Sequence, residues 1–325
     1  TDLGIMVSAS LDELEKYKDI KWGNYQLGVA DELQKAGYKL VGCDMLFHDT
    51  VPLGSGLSSS AAIEVVTAIT LVTLGNEANG ISAEVDMIEM AKISQIAEHN
   101  YVGVNCGIMD QFASAMGKAN HAIFLDCKDL SFEHVPLDLK GYKIVISNTK
   151  KKRSLGAVKY NERRSECEAG LEILKRAIPG ITCLGEVSVE QFEKNKELIT
   201  DEIVRKRVEH VVYEDDRVLK SVEALKKGDL LSFGKYMIES HNSLRDLYEV
   251  TGLELDTLVE EALKIDGVIG SRMTGAGFGG CTVSIVREDA VEKFIDSVGR
   301  AYTEKTGITA EFYVSEIGNG GREIK

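Results

Sequence analysis

The chain has 325 residues, a length typical of two domains, and its 44% hydrophobic and 28% charged residues are ordinary for a folded globular protein. Its formal charge of −14 at pH 7 argues against nucleic acid as a partner, because nucleic-acid binding depends on Lys and Arg at the phosphates. Glu64 and several threonines interrupt the most apolar stretch, residues 61–74, so we expect no membrane-spanning segment and no membrane partner. Six scattered cysteines without metal-site spacing suit a reducing compartment, so we expect the protein in the cytoplasm.

Hydrophobic periodicity predicts a mixture of helices and short strands along the whole chain. In the first half, the predicted helices are 24–36, 58–74, 83–102 and 108–116, and the predicted strands are 38–48, 121–127, 131–137 and 142–149. In the second half, the predicted helices are 155–177, 201–227, 230–250, 255–264 and 289–305, and the predicted strands are 267–274, 280–286 and 310–315. Because these elements do not follow a strict βαβ order, we predict an α+β fold. We place its two domains at residues 1–140 and 141–325.

The loop at residues 50–57 leads directly into the helix predicted at 58–74. Gly54 and Gly56 let the backbone adopt a positive φ and approach a ligand closely. The first N–H groups of the following helix have no intrahelical partners, and the helix dipole makes them a site for an anion. The same residues also fit a tight turn whose serines cap the helix. The local pattern leaves both interpretations open, a phosphate-binding loop and a structural turn.

Two acidic residues stand out in the helices that follow. Glu98 continues the stripe formed by Met87, Ala91 and Ser94. It lies near the C-terminal end of its helix, where the dipole disfavours negative charge. The local pattern favours a solvated glutamate at a frayed helix end, with a bound cation or a Lys or Arg partner as the alternative. Asp110, in the first turn of the next helix, is either a dipole-stabilised acid or a carboxylate that accepts a proton from a substrate hydroxyl.

The segment GAGFGG at residues 275–280 matches the glycine pattern of dinucleotide-binding loops. Such a loop must be followed by a helix, but the β-branched run CTVSIV at 281–286 predicts a strand. We therefore predict a turn between two strands and reject NAD binding as the main function. The basic run KKKR at 150–153 is either a solvated loop or a patch that attracts a nucleotide.

Four segments together resemble the GHMP kinases and, within that family, the galactokinases. They are PLGSGLSSSAAIE at 52–64, GVNCGIMDQF at 103–112, YNERRSEC at 160–167 and SRMTGAGFGGC at 271–281. The resemblance runs from about residue 22 to the C-terminus and implies a two-domain α+β fold. Galactokinases also carry an N-terminal motif similar to GRxNLIGEHxDY, which this sequence lacks. We therefore expect a GHMP kinase fold whose N-terminal part is truncated.

The resemblance also implies where the substrates and the cofactor Mg²⁺ bind. The residues that would cradle the phosphates of ATP are Gly54, Ser55, Gly56, Leu57, Ser58, Ser59 and Ser60. Ser60 and Glu98 would hold Mg²⁺. Asp110 would face the anomeric hydroxyl of the sugar as the catalytic residue, and Tyr160 would contact the sugar.

The activity that this resemblance implies is transfer of the γ-phosphoryl group of ATP to the 1-hydroxyl of galactose. Two alternatives remain open. One is a non-catalytic sensor of galactose and ATP that has a kinase fold and acts through a partner protein, and the other is a kinase of a related sugar. Because the N-terminal motif is missing, we expect this chain to bind sugar poorly and to turn over slowly.

Overall fold

The computed structural model describes residues 6–52, 55–151 and 156–324. The chain divides into two compact units. The first comprises Thr1–Leu53, Ser58–His134 and Ile317–Lys325, and the second comprises Gly54–Leu57 and Val135–Glu316. The domain boundary that we placed after residue 140 stays a prediction, because compactness alone does not define a domain.

The first unit is built mainly from helices. They are α1 (Asn24–Lys35), α2 (Ser59–Ala78), α3 (Met87–Ala97) and α4 (Met109–Met116). The strands β1 (His121–Leu125) and β2 (Phe132–Pro136) form a two-stranded sheet. Helix α2 packs against α1, α3 and α4, and the core between them includes the fully buried side chains of Leu33, Met90 and Phe112. These helices therefore fix the acidic residues that the sequence singles out.

Helix α2 has the composition expected of a helix enclosed by other helices. Among the described residues, it is the one helix whose length and apolar content would allow it to cross a membrane, with a mean hydropathy of 1.3. Half of that window is buried inside the protein, and a core helix meets the same criteria. Our expectation of no membrane-spanning segment stays a prediction, because length and composition alone do not distinguish a core helix from a membrane span. The absence of a membrane partner stays a prediction.

Residues 38–48, predicted as a strand, form neither helix nor strand. Their β-rich composition needs a neighbouring strand, and no described strand pairs with them. The segment instead passes closely along α2. A Cβ placed on Gly75 would lie 2.2 Å from the carbonyl oxygen of Lys39, so only glycine allows this approach.

The second unit is centred on a four-stranded sheet. Its strands are β3 (Tyr142–Asn148), β4 (Val268–Thr274), β5 (Cys281–Arg287) and β6 (Glu311–Ser315). They are ordered β4-β5-β3-β6, and each neighbouring pair is antiparallel. The structure thus confirms the predicted turn at 275–280 between two strands and the absence of a helix after it. The mixture of helices with an antiparallel sheet confirms the α+β prediction.

Six helices belong to this second unit. They are α5 (Gly156–Leu174), α6 (Val189–Asn195), α7 (Glu202–Lys226), α8 (Leu230–Ser243), α9 (Leu253–Ala262) and α10 (Val291–Thr306). Phe294, Val298 and Tyr302 of α10 are fully buried in a core that also contains Val145 of β3. The sequence analysis missed α6, although the capping box of Ser188 and Gln191 marks its start.

Candidate active site

The N-terminus of helix α2 lacks a side-chain cap, as do those of α1, α4, α9 and α10, whereas several other helices have one. Asp86, Asp201 and Asp229 cap α3, α7 and α8 by accepting hydrogen bonds from backbone N–H groups. The corresponding residue of α2, Ser58, has a left-handed backbone with φ of +61° and makes no such bond. The first helical bond runs from the N–H of Ala62 to the carbonyl of Ser58 at 3.0 Å. The three preceding helical N–H groups therefore have no intrahelical acceptor.

This geometry favours the phosphate-binding interpretation of the loop, which stays a prediction. The structural interpretation requires a serine whose side chain caps the helix, and Ser58 makes no such hydrogen bond. The hydroxyl-bearing residues Ser59 and Ser60 are half-buried in the first turn of α2. The positive end of the helix dipole and the unpaired N–H groups together suit an anion such as a phosphate.

The residues that precede Ser58 belong to the second unit. Ser55 is buried, and its carbonyl accepts a bond from the thiol of Cys281 at 3.3 Å. Gly56 has a φ of +79°, which favours glycine, and Leu57 is half-buried. Gly54 lies outside the described residues.

Glu98 is buried, in contrast to the solvated glutamate that the local pattern favoured. Helix α3 ends at Ala97, and the π-helical turn Glu98–Val102 follows it. The side chain of Glu98 is 7% exposed, and its Oε2 accepts bonds from Gln111 Nε2 at 2.7 Å and Cys106 Sγ at 3.3 Å. The interpretation as a frayed end is therefore wrong. The alternative of a Lys or Arg partner is wrong too, since a neutral amide and a thiol hold Glu98 within the described residues.

Gln111 connects Glu98 to a second buried acid, Glu64. The Nε2 of Gln111 lies 3.1 Å from Glu64 Oε2, and both side chains are almost completely inaccessible to solvent. Glu64 follows Ser60 by four residues on α2, so the two lie on one face of the helix. We call Glu64, Glu98, Cys106 and Gln111 the acidic cluster.

The acidic cluster is under-satisfied. Glu64 Oε1 and Gln111 Oε1 are buried without a hydrogen-bond partner among the described residues. Burial, reinforced by the negative charges of Glu98 and Asp110, raises the pKa of Glu64 to about 9, against the bond from Gln111. Burial, followed by the charge of Glu98, raises the pKa of Cys106 to about 12. Such a concentration of acidic oxygens favours the arrival of positive charge.

Asp110 lies next to the acidic cluster, in the first turn of α4. Its side chain is half-buried, and its charge acts on Glu64. The dipole of α4 stabilises an ionised carboxylate at this position. Within the first unit, Glu64 thus lies one helical turn after Ser60, shares Gln111 with Glu98 and is affected by the charge of Asp110.

The oxygen ligands of this site suit Mg²⁺ bound together with phosphates. Among the described residues, no group of three or more His, Cys, Asp and Glu side chains could hold a metal ion without other ligands. Mg²⁺ usually retains several waters and takes one or two protein ligands plus the oxygens of substrate phosphates. A carboxylate from Glu98 and a hydroxyl from Ser60 would meet this need. The unpartnered Glu64 Oε1 and the lack of a Lys or Arg partner among the described residues also fit a cation.

Two further sequence candidates belong to the second unit. Tyr160 lies on α5 and is 42% exposed. In the basic run, Lys150 pairs with Glu311 at 2.8 Å and Lys151 pairs with Glu254 at 2.7 Å, while its last two residues lie outside the described ranges. The two described lysines are thus partly neutralised by glutamates.

Sequence reasoning gave no role to Glu64 and Gln111. Glu64 had a signal, because it is a charged residue in an otherwise apolar helix and follows Ser60 by one turn. Gln111 had none, since an amide beside a catalytic candidate is equally common on a surface.

Comparison with known proteins identifies the family. A model of the GHMP kinases N terminal domain matches residues 24–118, and one of the GHMP kinases C terminal domain matches residues 221–304. A galactokinase of Clostridium acetobutylicum is 52% identical over 324 residues, which cover 99% of this chain and 81% of that protein. The chain belongs to the galactokinase family of the GHMP kinases. A galactokinase of Bacillus subtilis is 46% identical over 97% of this chain and 80% of its own length.

Solved structures agree with this family. The crystal structure of Lactococcus lactis galactokinase complexed with galactose matches with a TM-score of 0.90 and 43% identity, covering 99% of this chain and 81% of that one. A mevalonate kinase of L. major shares the fold alone, at 16% identity and a TM-score of 0.55. The predicted two-domain GHMP kinase fold is confirmed. The comparisons do not support the predicted truncation of its N-terminal part.

Proposed function

We propose that the chain transfers the γ-phosphoryl group of ATP to the 1-hydroxyl of galactose. The observation that carries this proposal is the acidic cluster next to the uncapped N-terminus of α2. The chain that contains it is 52% identical to a galactokinase over 99% of its length. The relative of known structure was crystallised with galactose, which supports galactose as the sugar.

The residues of the loop and the first turn of α2 would bind the phosphates. The N–H groups of Ser59 and Ser60 have no acceptor in their own helix and are available to phosphate oxygens. Ser55, Gly56, Leu57 and Ser58 would continue this cradle, as would Gly54. Ser60 and Glu98 would hold Mg²⁺, which neutralises phosphate charge and keeps the β- and γ-phosphates in position.

Asp110 would act on the sugar hydroxyl. The 1-hydroxyl oxygen attacks the γ-phosphorus, the bond from that phosphorus to the β-phosphate oxygen breaks, and ADP leaves. The proton of the hydroxyl passes to the Asp110 carboxylate, whose ionised form the α4 dipole favours. Tyr160, exposed on α5, would contact the sugar.

The sensor alternative has no observation in its favour. A sensor of galactose and ATP would also use the phosphate cradle, but it would not need a general base at Asp110. A kinase of a related sugar differs only in the acceptor, so an assay of several sugars decides it. We also propose that the enzyme works in the cytoplasm, since none of its six cysteines forms a disulfide.

The test is phosphorylation of a panel of free sugars with ATP, followed by release of ADP and by ³¹P NMR of the product. We expect galactose to be the preferred acceptor and the phosphate to appear on its anomeric oxygen. Phosphorylation of another sugar in preference to galactose would overturn the assignment.

The same assay tests Asp110. Asp110→Asn should lower turnover by about 10² to 10⁴, the usual contribution of a general base, and leave ATP binding intact. Asp19→Asn replaces an exposed aspartate of the same unit and should not change turnover. Near-normal turnover in Asp110→Asn would remove Asp110 from the mechanism.

A further inference from the structure

A single amide nitrogen lies between two buried carboxylates in the acidic cluster. Gln111 Nε2 is 2.7 Å from Glu98 Oε2 and 3.1 Å from Glu64 Oε2. We propose that Gln111 is a positioning residue, which fixes the carboxylate of Glu98 for a divalent cation that binds together with the nucleotide. This inference rests on the proposed function, because it assumes that the cation arrives with ATP.

The orientation of the Gln111 amide follows from its partners. The NH₂ group has two hydrogens, and the two glutamate oxygens accept them. The reversed orientation would turn the carbonyl oxygen of the amide toward Glu98 Oε2, which carries no hydrogen to donate in the ionised form that binds a cation. The cluster therefore selects one orientation of this side chain.

Both donors to Glu98 meet the same oxygen. Gln111 and the thiol of Cys106 each donate to Oε2, and no described residue donates to Oε1. Two bonds at one oxygen restrict the rotation of the carboxylate, so the other oxygen keeps one direction. A ligand oxygen held in this way loses little freedom when a metal ion binds.

Gln111 also links three elements of the first unit. It belongs to α4, Glu64 belongs to α2, and Glu98 begins the π-helical turn after α3. Without the amide, two buried acids would remain close together, and the thiol of Cys106 would be the one described donor left to Glu98. Loss of Gln111 should thus free Glu98 to turn away and should separate the carboxylate from the position that a cation needs.

Hydrogen-bond partners of metal ligands usually contribute roughly 10- to 100-fold to metal affinity. The chain offers a matched control in Gln26, on α1 of the same unit. Gln26 is 5% exposed, and neither of its amide atoms has a partner among the described residues. Gln26→Met therefore removes a buried amide of equal size without touching a carboxylate.

The experiment measures Mn²⁺ binding to the protein in the presence of ATP by electron paramagnetic resonance, without sugar and hence without turnover. For Gln111→Met, we expect the Mn²⁺ dissociation constant of the protein–ATP complex to rise by roughly 10- to 100-fold. ATP binding in EDTA should change little. Gln26→Met should bind Mn²⁺ as the unmodified protein does.

Equal Mn²⁺ affinity in Gln111→Met and Gln26→Met would overturn the proposal. If Gln111→Met does not fold, Gln111→Asn takes its place, because it keeps an amide but withdraws it by one methylene. An intermediate rise for that variant supports the proposal, and no rise contradicts it. Failure of the proposed function is seen separately, as an absence of galactose phosphorylation by the unmodified protein.

Discussion

The two units each contain a buried polar network, and the networks differ in how well their groups are satisfied. In the acidic cluster of the first unit, two acids share one amide and two buried oxygens have no partner among the described residues. In the second unit, Arg207 is 2% exposed, and each of its three nitrogens donates a hydrogen bond. A buried acidic group that lacks hydrogen-bond donors indicates a place for a ligand. A buried group whose nitrogens all donate hydrogen bonds indicates a structural role.

The second network closes the C-terminal end of a helix. Arg207 donates to the carbonyl of Leu247, and Arg163 donates to the carbonyls of Tyr248 at 2.7 Å and Glu249 at 3.4 Å. Leu247 and Tyr248 end the π-helical turn Leu244–Tyr248 and Glu249 follows it, at a place where helical acceptors are normally left without donors. Glu249 has the left-handed backbone that glycine commonly supplies at such an end, with a φ of +55°, and the two arginines satisfy the remaining carbonyls.

The chain just after this turn contacts the glycine loop at 275–280. The carbonyl of the next residue, Val250, accepts a bond from the N–H of Phe278 at 2.7 Å. A Cβ on Gly277, whose φ is +81°, would lie 2.2 Å from that oxygen. The arginine network thus supports the turn on which the glycine loop rests. The role of the arginine network is structural, whereas the acidic cluster is proposed to bind a cation.

The largest effect on stability should come from breaking the satisfied network. Arg207→Met takes the arginine donor away from the carbonyl of Leu247 and from the carboxylate of Glu249. It also leaves Glu166 with Arg163 alone among the described residues. We expect the free energy of unfolding to fall by about 3–5 kcal/mol. The matched variant is Arg205→Met on the same helix, α7, where the arginine is 32% exposed and 3.5 Å from Glu197. That change should cost at most about 1 kcal/mol.

Denaturant unfolding of both arginine variants measures the difference. Equal losses would show that the completeness of hydrogen bonding in this network contributes nothing beyond an ordinary surface ion pair. The comparison between the two units would then lose its physical basis.

Much of the secondary structure could be predicted, because it follows from local periodicity. The antiparallel strands on either side of residues 275–280 are one example. Residues 38–48 are the counter-example, since β propensity is realised only where a partner strand exists. The family motifs place the first turn of α2 and Asp110 in one site; α2 packs against α4 in the first unit, and the site itself stays a prediction.

The polar partners could not be predicted, because they depend on which helices meet. The burial of Glu98 depends on the packing of α3 against α4, which places Gln111 over it. Arg207 reaches Glu166 across 41 positions in the sequence, and no local pattern connects them. The residue type determines whether a side chain can donate a hydrogen bond, but only the tertiary structure determines which group accepts it.

A pH titration of the acidic cluster should give the next largest effect. The pKa of Glu64 is raised to about 9 from an ordinary value of 4.5, so the folded state binds more protons than the unfolded state between these values. Stability from this group is complete below pH 4.5 and is lost as pH rises toward 9. One proton corresponds to about 1.4 kcal/mol per pH unit.

We therefore expect the free energy of unfolding, measured in EDTA, to fall more steeply from pH 6 to pH 8 in the unmodified protein than in Glu64→Gln. Glu77→Gln, at the exposed end of the same helix, is the matched control. If the free energy of unfolding falls equally steeply with pH in the Glu64 and Glu77 variants, Glu64 is not the group that binds the extra proton of the folded state.

The second unit should show the opposite dependence, through His210. Burial lowers the pKa of this imidazole to about 4 from 6.5, although the charge of Glu214 opposes that shift. Ser243 lies 2.8 Å from its Nδ1, and the ring stacks on Tyr248 at 4.5 Å. The other charged groups that act on it are Arg207, Arg217 and Arg272.

Because the unfolded state binds the proton more readily than the folded state, the stability that neutral His210 contributes is present above pH 6.5 and is lost as pH falls toward 4. Between pH 6.5 and pH 5, the unmodified protein should therefore lose up to about 1.4 kcal/mol per pH unit relative to His210→Gln. His48→Gln, at an exposed position, provides the control. Only a shifted pKa makes the contribution of one residue to the free energy of unfolding depend on pH. If the two proteins differ in that free energy by the same amount at every pH, burial does not keep His210 neutral.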